Sequence, residues 1–304
     1  MLRRLEQNEF ESYAQYAYKL ALDMSCSSYP TYADGIKTRE DFIEKSKRGI
    51  SGDLNTEILL FESKGSVKGW IHYYVRPEDK YLSFYSFCIE ENTSEAVSEF
   101  LSYAGEKYSG YTVDLGLPDA NKEAAKALTE SGFENIENSH VNVLSFENYS
   151  CREEKGNICA VDKENFHLFK RLHDPVSADM YWNSGRLKEK YFSDEKKWHL
   201  YLSMNGENAE GCVYFVFAGN IMEIFGIDFV NGVFDKEIMR DLFIKSLNVS
   251  KMSGSVKYMY FFTDSDEEQE IVTEAGMKHI GDYKLFRGRS VDRQRKILSG
   301  LSYE

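Results

Sequence analysis

The chain predicts two copies of one α/β domain in tandem, each a twisted mixed β-sheet flanked by helices. Its 304 residues exceed what one ordinary core holds and suit two. A six-residue block, Leu128-Thr129-Glu130-Ser131-Gly132-Phe133, returns at an offset of 144 as Val272-Thr273-Glu274-Ala275-Gly276-Met277, with Ile136 and Ile280 following at the same distance. Chance could make one six-residue match, but it is a poor account of five elements in the same order, the mark of an internal repeat.

Each copy opens with helices, Gln7 to Asp23 in the first and Glu164 to His173 in the second. Two strands follow, Glu57 to Glu62 with Gly69 to Val75, and Trp198 to Met204 with Gly211 to Phe217. Gly65 turns the first hairpin and Asn205-Gly206 the second, residues suited to positive φ. A third strand comes next, Tyr81 to Ile89 and Ile221 to Val230. Val97, Phe100, Leu101 and Ala104 then fall on one helical face, as do Ile238, Met239, Leu242, Phe243 and Leu247 behind the N-cap Asp235. A strand (Tyr111 to Leu117; Val256 to Phe262), a helix ending at Gly132 or Gly276, and a closing strand (His140 to Glu147; Asp282 to Arg287) complete each copy. The polar stretch Asn148 to Asn157 is the expected linker, dividing the chain into domains 1–150 and 151–304.

The 21 Tyr and 20 Phe favour sheets with thick cores. The net charge of −13 repels nucleic acid and anionic membranes, so neither is an expected partner. No apolar run approaches the ~18 residues of a membrane span, and the N-terminus has no signal-peptide pattern. Five scattered cysteines without CxxC spacing read as reduced thiols of a cytoplasmic protein. The six histidines show no ligand spacing, so no metal is expected.

The turn Gly65 to Trp70, the segment Asn121 to Phe133 and the stretch Tyr81 to Ala104 together resemble the GNAT superfamily of N-acetyltransferases. The turn Gly65-Ser66-Val67-Lys68-Gly69-Trp70 is similar to the family's hairpin between its second and third strands. Asn121-Lys122-Glu123-Ala124, then Leu128 and Gly132-Phe133, is similar to its N-x-x-A-x-x-x-Y-x-x-x-G-F signature. Tyr81 through Ala104 has the strand–loop–helix layout of its cofactor motif. The resemblance implies acetyl-CoA, or another acyl-CoA, in a V-shaped gap between the fourth and fifth strands. The pantetheine arm would pair with the fourth strand, and the pyrophosphate would rest on a helix N-terminus. Onto this chain it carries Phe87, Cys88, Ile89, Asn92, Thr93, Ser94 and Asn121 as cofactor-binding residues of the first copy, and Ile227, Phe229, Asn231 and Gly232 of the second.

Both copies depart from the pattern. The first loop, Glu90-Glu91-Asn92-Thr93-Ser94-Glu95-Ala96, lacks glycine and basic residues. Like charges at about 5 Å cost on the order of 3 kcal/mol at an effective dielectric of 20, more than the ~0.3–1 kcal/mol of the helix dipole. The second loop, Val230 to Glu237, has one glycine and one lysine in another arrangement. The family's tyrosine acid is replaced by Leu128 and Val272.

The candidate general bases are Glu223 and Asp228 on the second copy's fourth strand and Glu90 at the end of the first copy's. Tyr29, Tyr32, Tyr181 and Trp182 stand where the family builds its acceptor pocket, or seal the core as aromatic turns. The basic islands Arg186 to Lys190 and Arg287 to Arg295 suit a phosphate or a solvated face. The function the resemblance implies is acyl transfer, acetyl above all, to a small-molecule or peptide amine by direct attack on the thioester. The chain would act as a monomer or homodimer. The alternative is a catalytically degenerate module that binds a CoA ester or a protein.

Overall fold

The computed structural model describes residues 1–51, 55–178, 180–194 and 196–290. Its elements in chain order begin with β1 (Leu2–Arg4), α1 (Phe10–Ala21), α2 (Arg39–Arg48), β2 (Thr56–Ser63), β3 (Ser66–Arg76), β4 (Tyr81–Ile89), α3 (Thr93–Lys107), β5 (Thr112–Pro118) and α4 (Lys122–Glu130). They continue with β6 (Glu134–Ser145), β7 (Ile158–Ala160), α5 (Phe166–His173), α6 (Ser184–Ser193), β8 (Trp198–Asn205), β9 (Asn208–Ala218) and β10 (Ile221–Phe229). The last are α7 (Lys236–Ser253), β11 (Tyr258–Thr263), α8 (Asp266–Glu274) and β12 (Lys278–Arg289). The expected succession is present in both halves, with the short edge strands β1 and β7 added.

Two compact units result: Met1–Asn138 with residues 281–290, and Ser139–Ile280. The first unit's strands run β1-β2-β3-β4-β5-β12, the second's β6-β11-β10-β9-β8-β7. In each, helices cover both faces. In the first, α3 and α4 lie over a core containing Phe84, Phe87, Phe100 and Leu115, and α1 and α2 over one containing Leu60, Trp70 and Cys88. The second repeats this, with α7 and α8 over Phe215, Met222 and Ile224, and α5 and α6 over Trp198, Leu200 and Tyr214.

The closing strands depart from the contiguous division at residue 150. β12 pairs antiparallel with β5 of the first unit (Tyr283↔Pro118 to Arg289↔Thr112), and β6 with β11 of the second (His140↔Thr263 to Ser145↔Tyr258). Both copies leave a glycine-capped helix into the same kind of strand, so local pattern does not say which fifth strand receives it. Side-chain fit does. A Cβ at Gly116 would lie 2.5 Å from the Tyr283 ring, and one at Gly288 would lie 2.5 Å from Phe133. The Arg287 guanidinium grips Asp114 with two bonds, Nε to Oδ1 at 2.8 Å and Nη2 to Oδ2 at 2.7 Å. The expected linker is docked rather than free. Tyr149 is buried, and Asn248 of α7 accepts from the Tyr149 hydroxyl and the Arg152 N–H.

Candidate functional site

A parallel strand pair that parts partway along its length makes a gap in each unit. In the first, β4 pairs with β5 only over Tyr81–Ser83 and Thr112–Asp114. In the second, β10 pairs with β11 over Ile221–Ile224 and Tyr258–Phe261. A bulge bends the fourth strand at matching places, with Tyr85 the extra residue opposite β3 and Phe225 the extra residue opposite β9. Bulges re-aim a strand and end its pairing.

The first gap is occupied by the chain itself. Ile89 N–H donates to Cys26 O (2.9 Å), and Tyr29 N–H donates across to Gly116 O on β5 (3.0 Å). Phe87 N–H donates to Ser28 Oγ (2.8 Å), and the Asn121 amide donates to Ser27 O (2.9 Å). The expected cofactor groups Phe87, Ile89 and Asn121 are therefore engaged by the segment after α1. Cys88 is a correction to the expected set: it is paired opposite Trp70 of β3, its thiol lies in the core, and burial pushes that thiol up to about 12. Successive strand residues face opposite neighbours, so only Phe87 and Ile89 address the gap.

At the head of α3, Asn92 takes a left-handed conformation (φ 59°) and its amide donates to Ser63 Oγ. Thr93 is buried, and Ser94 is exposed in the first turn. Glu90 is held by Lys68 Nζ (3.0 Å) and the Tyr16 hydroxyl (3.1 Å). The Lys68 hydrogen bond keeps its carboxyl below the usual range, so it is an anchored anion rather than an available base. Tyr29 and Tyr32 are wall and core: Tyr29 packs edge-on to Tyr283, and Tyr32 is buried between Tyr18 and Phe42.

The second gap is built differently. The segment after α5 turns back on that helix, with Val176 and Ser177 N–H groups both donating to His173 O. Among the described residues, no loop backbone carbonyl accepts from Ile227 or Phe229. Gly226 and Ile227 are half-buried, where Ser86 and Phe87 of the first unit are buried. Asn231 (φ 56°) and Gly232 (φ 67°) lead into α7, whose first turn is capped by the Asp235 carboxylate, accepting from Glu237 N–H (2.9 Å) and Ile238 N–H (3.0 Å).

An aromatic wall stands beside the Phe225 bulge. Trp182 lies 4.6 Å from Trp198 and 5.6 Å from Phe225, ring centre to ring centre, with Tyr181 at 5.0 Å from Trp182. Arg186 donates to Tyr181 O and sits 4.4 Å above its ring. That arginine, like Arg287, is thus committed to its own chain. The rest of the second basic island, from residue 291, lies outside the described residues.

Asp228 is corrected from base to brace. Its Oδ2 meets Nδ1 of the fully buried His173 at 2.7 Å, and His173 Nε2 donates to Trp182 O at 2.7 Å. The Cys212 thiol donates to the same carboxylate. This fixes Trp182 to the gap strand. The sequence reading missed His173, although its place on the apolar stripe Phe166, Phe169, Leu172 signals burial.

Glu223 stands in one cross-strand row with Trp198, Val216 and Tyr260. Met222 and Ile224 point into the α7–α8 core, which puts Glu223 on the face of Trp198 and Phe225. Tyr260, also missed, adjoins it at the last pairs before the strands part. Leu128 and Val272, where the family has tyrosine, are buried core residues.

The sequence matches no protein-family model, and no curated protein is similar to it. Solved structures are similar in fold. A GCN5-related N-acetyltransferase from Sphaerobacter thermophilus superposes with a TM-score of 0.62 over 96% of both chains at 14% identity. The glucosamine N-acetyltransferase region of a fungal multi-domain GH3 β-N-acetylglucosaminidase matches at 0.60 over 95% of this chain and 38% of that one, 10% identical. A tandem GNAT protein from the clavulanic acid biosynthesis pathway matches at 0.51 over 95% and 98%, 11% identical. The chain therefore has the GNAT N-acetyltransferase fold along nearly its whole length. Among the described residues no helix is long and apolar enough to cross a membrane.

Proposed function

We propose that the protein is an acyl-CoA-dependent N-acyltransferase, acetyl-CoA its donor, working through the gap of the second unit. The observation that carries this reading is the parting of β10 and β11 at the Phe225 bulge, next to a half-buried strand edge and the Trp182 wall. Ile227 and Phe229 offer backbone groups to the pantetheine arm, and an N–H of the same strand holds the thioester carbonyl oxygen. Trp182 and Tyr181 border the acceptor, a small-molecule or peptide amine. Glu223, directly or through water, takes the amine's proton, and Tyr260 returns one to the departing thiolate. The free thiols suit a cytoplasmic setting.

Calorimetric titration with acetyl-CoA, with CoA as control, tests the reading. Saturable heat is expected, and neither heat nor thermal shift at millimolar ligand overturns it. With an amine found by screening for thiol release, Glu223→Gln lowers kcat about 100-fold, the low end of general-base effects, while acetyl-CoA binding is retained. An unchanged kcat removes Glu223 from the mechanism.

A specific observation favours the alternative of a non-catalytic module: the Asp235 carboxylate holds two of the N–H groups that a pyrophosphate would use. Serine caps a helix nearly as well without charge. Asp235→Ser is therefore expected to tighten acetyl-CoA about tenfold, roughly 1.4 kcal/mol, within the ~3 kcal/mol repulsion of charges about 5 Å apart. Equal affinities would place the pyrophosphate elsewhere.

A further inference from the structure

We infer that the first unit's gap is closed to acyl-CoA by the chain's own Cys26–Tyr29 segment, which lies where the thioester's arm would, and that one acyl-CoA binds per chain, in the second unit. The claim about the first unit stands on hydrogen bonds alone; the count of one rests on the function proposed above.

The segment bridges the gap from side to side. It takes the N–H groups of Phe87 and Ile89 on β4 and supplies one to Gly116 on β5, and it also takes the Asn121 amide at the head of α4. Ser27 and Ser28 are buried. A pantetheine arm entering here would replace bonds already made, taking their partners from Ser28 Oγ and from the Ser27 carbonyl.

Nor is the segment built to leave. Upstream, Cys26 N–H donates to Asp23 O, and Asp23 Oδ1 accepts from Ser25. Downstream, Tyr32 N–H returns to Ala21 O at the end of α1, and its ring is fixed between Tyr18 and Phe42. The upstream end is thus tied to the turn that follows α1, and the downstream end to the last residue of that helix and its core.

Two further features of the first unit agree. Its phosphate end presents Glu90 and Glu91, both held by Lys68. The place of Glu223 and Tyr260 is taken by Ser83 and Asp114, paired in the matching register, and Asp114 is committed to Arg287. The unit thus lacks the entry, the anion site and the acid–base pair together.

Native mass spectrometry of the full chain with acetyl-CoA, combined with residue-resolved hydrogen exchange, tests this. One bound acetyl-CoA is expected. The amides of Phe87, Ile89 and Tyr29 should exchange slowly in the free chain and be unmoved by ligand, while those of Ile227 and Phe229 should slow on binding. Two bound ligands, or one that shifts Phe87 and Ile89, overturns the inference. No bound ligand overturns the count of one along with the proposed function; rapid exchange of Phe87 and Ile89 in the free chain overturns the closure by itself.

Discussion

Arg287→Ala should cost the first unit about 3–5 kcal/mol, the loss typical of breaking a buried ion pair from one side. Asp114 is 5% exposed at its side chain, and its remaining partner is the Tyr81 hydroxyl at 3.2 Å. Lysine at 287 keeps the charge but not the two-pronged grip, so Arg287→Lys should fall between. The same pair tests the strand exchange. Asp114 and Arg287 are 173 residues apart, and only a β12 seated on β5 brings them together. A double-mutant cycle with Asp114→Leu and Arg287→Met should give a coupling above about 1 kcal/mol in urea denaturation, where unconnected sites stay within ~0.3–0.5 kcal/mol. Additive effects would mean that each copy keeps its own closing strand. A fragment cut at residue 150 should fare badly for the same reason, because β5 would end as an open edge.

That exchange marks where the sequence ceased to be legible. Strand order within each copy was readable because each turn carries its own chemistry: Gly65, Gly206, and the C-cap glycines Gly132 and Gly276 all take positive φ, although Asn205, expected in the second turn, is the last residue of β8, paired with Asn208, so that turn is Gly206-Glu207. Gly69 and Gly211, aligned in the repeat, do stand opposite the last residues of β4 and β10, Ile89 and Phe229. What periodicity does not encode is the choice between two equivalent edges. It is decided by contacts far apart in the chain, such as Tyr283 over Gly116 and Phe133 over Gly288.

The candidate site was legible to a similar depth. The fourth strands stand where the repeat put them, Tyr81–Ile89 and Ile221–Phe229, and Trp182 lies beside the second of them, against Phe225. Tyr29 and Tyr32 were readable as either pocket or core: Tyr32 is buried, whereas Tyr29 is half-buried against Tyr283. The filled first gap was hidden because Ser27-Ser28 looks like an ordinary polar turn. A serine hydroxyl accepts a strand N–H as readily as a carbonyl does, and nothing in local pattern announces that use. Asp228 in a strand of apolar neighbours suggested a base; the buried imidazole 55 residues upstream makes it a structural partner instead.

That pairing yields the second large expectation. Nε2 of His173 donates to the Trp182 carbonyl, and Nδ1 is hydrogen-bonded to the Asp228 carboxylate. Asp228→Ala leaves that ring nitrogen and the Cys212 thiol without their acceptor in a fully buried place, a loss of about 3–5 kcal/mol for the second unit. Asp228→Asn keeps an oxygen for the Nδ1–H and should cost about 1–2 kcal/mol. The functional consequence is separable from the stability one. Because His173 holds the Trp182 carbonyl, loosening it should raise KM for the amine, while Ile227 and Phe229 keep their hold on acetyl-CoA and its Kd moves little. Measured below the unfolding transition of Asp228→Asn, a rise in amine KM with a steady acetyl-CoA Kd identifies Asp228 as a positioning residue. A kcat that collapses with both affinities intact would return it to the role of base. The geometry favours the first outcome, since a carboxylate already bonded to a buried imidazole and a thiol, and turned toward α5 rather than into the gap, has no free path to an incoming amine.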